Sequence, residues 1–165
     1  MIKPSDFNFD RLISHFNIDG QPRTKKNGMI RTKRGIIQSK AYREYEKSAL
    51  WQLQVQKKKM NFKYAYDMGV KVTVLYWLQN RRSFPDLLGL LQATADILEK
   101  AGIVENDSFI AEFGESRIAG IDAVWPRAEI TIERISDTMH PCYTTNPKLY
   151  KRAIAGEYDE WSDRK

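Results

Sequence analysis

The sequence predicts an α+β fold, a single domain in which a mixed β-sheet packs with two main helices. Three observations carry this. The run "VKVTVLYWL" from Val70 to Leu78 alternates and is rich in β-branched residues, the pattern of a strand. Two segments, one starting at about Ser39 and one from about Leu87 to Lys100, place apolar residues at steps of three and four, the pattern of helices. Shorter strand-like runs lie before the first helix and after the second.

Taken in order, "RLISHFNIDGQP" reads as a first strand closed by a Gly-Gln-Pro turn. From Arg23 to Lys47 the cations are Arg23, Lys25, Lys26, Arg31, Lys33, Arg34, Lys40, Arg43 and Lys47, and the only acids are Glu44 and Glu46. The positive excess is therefore concentrated here. Asn27-Gly28 and Arg34-Gly35 mark turns, so a small basic hairpin is expected around Met29 to Ile37. Ser39 is a good N-cap for the first helix. Tyr42, Tyr45, Ala49 and Leu53 share one face of it, and the lysines of "QKKKM" favour its C-terminus. After the Val70–Leu78 strand, "QNRRSFP" forms a basic loop containing Arg81 and Arg82. In the second helix Leu87, Leu90 or Leu91, Thr94, Leu98 and Ala101 make the buried stripe, and Gly102 ends it. "SFIAEF" and "AEITIERI" read as later strands, the last opened by Trp125-Pro126-Arg127. From Ser136 the chain turns polar, with scattered aromatics (Tyr143, Tyr150, Tyr158, Trp161). It reads as a tail over 136–165 with one short helix near Leu149 to Ala155, lying on the domain or on a partner.

The 165 residues suit one domain with a sizeable core, and 42% hydrophobic content excludes a disordered chain. The formal charge of +6 and a pI of about 9.4 suit a polyanionic partner, nucleic acid before an acidic membrane. The single cysteine, Cys142, makes no internal disulfide. "MIKPSDFNFDRL" has no apolar signal core, and no apolar run is long enough to span a bilayer. Cys142, His15 and His140 lie far apart without zinc-ligand spacing.

The acids offer two readings. Pro85 holds Phe84 extended and puts Asp86 at a helix N-terminus, where a carboxylate caps the helix. Asp107 lies in a turn, where Asp is also ordinary. Either one also suits a hard cation. Asp96 follows Asp86 by roughly 15 Å along the helix at about 1.5 Å per residue, so these two do not share one small ion. Asp86 and Asp107 share one only if the "VEND" turn folds back along the helix to its start.

Three stretches together carry a resemblance. "GQPRTKKN" with the basic loop and "SKAYREYEKSA", then "PDLLGLLQATADILEKAGIVENDSFI", then "PRAEITIERI" resemble the RusA family of Holliday junction resolvases, over about Gly20 to Ile135. The resemblance implies a RusA-like nuclease domain over residues 1–135. It also implies Mg²⁺ (or Mn²⁺) as cofactor, a four-way DNA junction as substrate, a homodimer, and the cytoplasm of a bacterial or phage-infected cell. By the family's pattern, Asp86 and Asp107 are metal ligands and Asp96 a third functional acid. The family's second Asp, its Asn and its Lys fall here on Leu88, Gly89 and Gln92. Glu105 or Asn106 is the expected source of the missing ligand. Lys25, Lys26, Arg31, Lys33, Arg34, Arg81 and Arg82 are the expected DNA contacts. Three functions remain open: a Mg²⁺-dependent junction endonuclease with a rearranged site, a branched-DNA-binding protein that has lost most or all of its cutting activity, and an interaction protein whose aromatic tail (Tyr143, Tyr150, Tyr158, Trp161) docks on a replication or packaging partner.

Overall fold

A computed structural model describes residues 12–25, 29–82 and 84–162, with side chains described as far as residue 154. Lys26 and the Asn27-Gly28 turn lie outside the described residues, as do the side chains of Tyr158 and Trp161.

The sheet is mixed, as expected. Strand β1 (Ile13–Asp19) runs antiparallel to β7 (Arg127–Arg134), and β7 antiparallel to the central β4 (Val70–Leu78). On the other side of β4 lie two short strands in parallel: β5 (Ile110–Phe113) beside Val70–Val72, and β6 (Arg117–Ile121) beside Leu75–Leu78. Strand β6 has no clear signature in the sequence. Its five residues "RIAGI" contain a glycine and alternate weakly, and it forms only because β4 offers an open edge there.

Alternation along β4 sets the core. Val70, Val72, Val74, Tyr76 and Leu78 are fully buried, while the residues between them are half-buried. Helix α1 (Lys40–Lys59) and helix α2 (Leu87–Lys100) pack on the buried face through Ala49, Leu53, Leu90, Leu91, Ile97 and Leu98. Ser39 caps α1 by accepting from the Tyr42 N–H at 3.1 Å. Thr94 is buried in the α2 stripe without leaving a polar orphan, because its hydroxyl meets Tyr76 Oη at 2.7 Å. Gly102, at φ +65°, ends α2. Its N–H reaches Glu99 O, and the Ile103 N–H reaches Leu98 O.

The hairpin forms as expected from β2 (Ile30–Thr32) and β3 (Gly35–Ile37), turning through Lys33-Arg34 with Gly35 at φ +124°. All six of its strand residues are exposed.

The segment after Ser136 is more structured than a tail. Helix α3 (Pro141–Thr145) and helix α4 (Pro147–Ser162) follow each other closely. Cys142, Tyr143 and Leu149 bury Phe109 in a second, smaller core. Apolar residues spaced irregularly over a short stretch give no periodic signal, so this docking is not legible in the sequence. Burial raises the Cys142 thiol above its ordinary pKa, and the thiolate is the reactive form. Cys142 is therefore expected to react slowly with a maleimide at pH 8 in native protein and promptly in denaturant, followed by thiol titration. Immediate reaction in native protein would mean that α3 is not packed as described.

Candidate functional site

Asp86 sits where the loop after β4 enters α2. Its backbone is extended, and its Oδ1 accepts from the Gly89 N–H at 2.5 Å, so the capping role is realised. The residue is nonetheless exposed, and Oδ2 has no hydrogen bond among the described residues. Gly89 is what permits this packing. A Cβ there would stand 2.8 and 2.9 Å from the two Asp86 carboxylate oxygens and 3.0 Å from Thr24 Cγ2. Gly→Ala inside a helix normally stabilises by about 0.5–1 kcal/mol. Here the gain is offset by a disturbed cap of similar size. Gly89→Ala is expected to leave the melting temperature within a few degrees while turning Asp86 away. Leu88, beside it, is 79% exposed, and Gln92, one turn on, is exposed as well.

Asp96 lies further along the helix and is ion-paired with Lys25. Lys25 is thus not a free DNA contact. Burial pulls its pKa below the ordinary lysine value and Lys100 adds to this, while Glu46 and Asp107 push the other way. Lys100 in turn pairs with Glu46.

Asp107 opens a 3₁₀ turn (Asp107–Phe109) that leads into β5. Asn106 caps the turn, its Oδ1 accepting from the Ser108 N–H at 3.1 Å and from the Ser108 hydroxyl. The Asp107 N–H donates to Glu99 Oε2 at 3.2 Å, which ties the turn to the last turn of α2. Glu99 stands more than three helical turns beyond Asp86, roughly 20 Å at about 1.5 Å per residue. The "VEND" turn therefore does not fold back to the start of the helix. One chain presents Asp86 and Asp107 separately, toward opposite ends of α2. Among the described residues no group of three or more His, Cys, Asp or Glu is placed to hold a metal. Nor is Glu105 a free helper: both of its oxygens are taken by the Arg152 guanidinium. Asn106 Oδ1 is engaged within its own turn. The donors are hard oxygens that suit Mg²⁺ chemically, but a single copy does not converge them.

Arg31, Lys33 and Arg34 are exposed on the hairpin and make no ion pair among the described residues. Arg81 and Arg82 are exposed in the loop before Asp86. That loop borders a polar cleft of about 210 Å³ lined by Arg23, Thr24, Ser39, Asn80, Arg82 and Pro85, among others. Arg23 is legible in the sequence only as part of a charge run. Arg152 carries no signal there at all, because its partner lies 47 positions earlier in the chain.

The described residues thus present two exposed acids, one capping α2 and one in the turn after it, together with an exposed cation-rich hairpin and loop. The chain belongs to the RusA endodeoxyribonuclease family: the family model described as endodeoxyribonuclease RusA matches residues 19–133. A curated relative from Aquifex aeolicus (strain VF5), named crossover junction endodeoxyribonuclease RusA, is 34% identical over 92 residues, spanning 55% of this chain and 69% of the relative.

Proposed function

We propose that this protein is a Holliday junction resolvase, a structure-selective endonuclease that hydrolyses phosphodiesters at four-way DNA junctions in recombination and repair. It would work with Mg²⁺, or Mn²⁺ in its place, and as a homodimer. The observation that carries the reading is the pair of exposed carboxylates, Asp86 and Asp107, at opposite ends of α2 in a member of this family. Their separation favours a site shared between two copies. A two-fold arrangement makes every contact reciprocal, so one copy's Asp86 can stand beside its partner's Asp107, twice. Two such sites match the two strands that resolution must cut. The bound cation would supply charge neutralisation at the phosphate. The chain's own part is to hold Asp86 by the Gly89 N–H and Asp107 by its turn, and to seat the phosphates on Arg31, Lys33, Arg34, Arg81 and Arg82. Asp96, neutralised by Lys25, would act as a local charge partner and not as a ligand.

Incubating a labelled four-way junction with Mg²⁺ or Mn²⁺ tests this, with a linear duplex of the same sequence and Asp86→Asn protein alongside. Paired symmetric nicks in the junction alone, lost in the variant, are the expected result. Binding without nicks in either metal would favour the second reading, a branched-DNA-binding protein without cutting. The exposed Leu88 beside Asp86, which offers no oxygen, is the observation on that side.

No helix among the described residues is long and apolar enough to cross a membrane.

A further inference from the structure

The segment from Ser136 onward lies beyond the residues that the family model matches, yet it grips the acidic turn at several points. Arg152 on α4 holds Glu105 with both arms of its guanidinium, one of them at 2.7 Å. The same group donates to the Asp67 carbonyl at 3.1 Å and lies over the Phe109 ring, 5.3 Å from its centroid. Asn146 Nδ2 donates to Ser108 O at 3.0 Å. Phe109, 1% exposed, is buried against Cys142, Tyr143 and Leu149. Residues on both sides of Asp107 are thus fixed from the C-terminal helices, while the Asp107 carboxylate stays exposed. An isolated surface ion pair would contribute little. A two-armed arginine that also binds a carbonyl and covers a ring sets direction as well as distance.

We propose that Arg152 is a positioning residue: with α3 and α4 it clamps the Glu105–Phe109 turn so that Asp107 is presented in one orientation to the cation and the scissile phosphate. This rests on the nuclease reading only for the role of Asp107; the clamp itself does not depend on it.

The test uses the full chain with Arg152→Ala, Arg152→Lys and Glu105→Gln. Amide hydrogen exchange is measured on the free protein without metal. The amides of Asp107, Ser108 and Phe109 report the turn, and those of Gly89 and Leu90 report the head of α2. Arg152→Ala and Glu105→Gln are expected to speed exchange in the turn roughly tenfold and leave the head of α2 unchanged, with Arg152→Lys in between. The Mg²⁺ concentration for half-maximal nicking of a four-way junction is expected to rise roughly tenfold, the range for removing a group that orients a ligand, at unchanged junction affinity. Unchanged exchange in both Arg152→Ala and Glu105→Gln overturns the clamp. Faster exchange at Gly89 and Leu90 as well makes Arg152 a general prop of the fold and overturns the positioning role. So does an unchanged Mg²⁺ requirement in a variant whose turn is loosened. If the unaltered protein does not nick junctions, the nuclease reading fails, and the clamp is judged on exchange alone.

Discussion

Mixing Asp86→Asn protein with Asp107→Asn protein is expected to restore junction nicking that neither has alone. Each variant by itself should lose at least about a hundredfold in cutting, beyond what outer-shell substitutions cost, with junction binding retained. Folding is not at issue for Asp86, because Asn caps a helix about as well as Asp and can accept from the Gly89 N–H in the same way. The mixing result follows from where α2 places the two acids. Asp107 is tied to Glu99 at the far end of the helix from Asp86. If one copy's Asp86 works with its partner's Asp107, a mixed dimer carries one site with both acids intact and one with neither. After free exchange of subunits about a quarter of all sites are intact, each opposite a dead one. The products should therefore be singly nicked junctions and few resolved duplexes. If both acids acted within one copy, every site in the mixture would lack one of them and no activity would return. The absence of recovery, with subunit exchange verified by mixed labels, would sink the shared site.

The legible parts of the fold share one property: their signal is local. Val70 to Leu78 alternates because a single strand buries one face against two helices. Ser39 and Gly102 mark helix ends through bonds that span only a few residues. The hairpin announces itself through a turn glycine at Gly35. What is not legible depends on distant partners. Strand β6 exists through its pairing with β4, and α3 docks through Phe109, which comes more than thirty residues earlier. The site divides in the same way. Asp86 is readable as a cap and as a candidate ligand from its neighbours alone. Whether Asp107 returns to it depends on the path of the "VEND" turn. Glu105 looks like a spare oxygen donor because nothing near it in the sequence shows that Arg152 will occupy it. Lys25 looks like one more cation in a basic run, and only the structure joins it to Asp96.

Replacing Arg31, Lys33 and Arg34 together by alanine is expected to weaken junction binding by roughly one to two orders of magnitude near 100 mM salt. It should also flatten the dependence of log affinity on log salt, by up to about 0.9 for each phosphate left without its cation. The reason is electrostatic. These side chains stand on a two-stranded ribbon whose strands are exposed throughout, and no acid among the described residues pairs with them. A ribbon of this width fits the major groove of duplex DNA, and its turn brings Lys33 and Arg34 to the tip. Since nothing packs on them, the folded state should lose no more than about 0.5 kcal/mol. Arg127 is the contrasting control. Only 9% exposed, it pairs with Asp122 at 2.9 Å and Glu129 at 2.7 Å and lies 4.0 Å from the Trp125 ring centroid. Arg127→Ala removes the same kind of charge from a nearly buried side chain that already pairs with two acids. It should lower the melting temperature and leave the salt dependence of binding intact. Salt titrations of the triple variant and of Arg127→Ala, read by fluorescence anisotropy on a labelled junction, separate the two kinds of cation. If the triple variant keeps both its affinity and its slope, the phosphates are carried elsewhere, with Arg23 and Arg82 of the cleft and the neighbouring Arg81 as the next cations to replace, and the Lys33-Arg34 turn is a solvated hairpin.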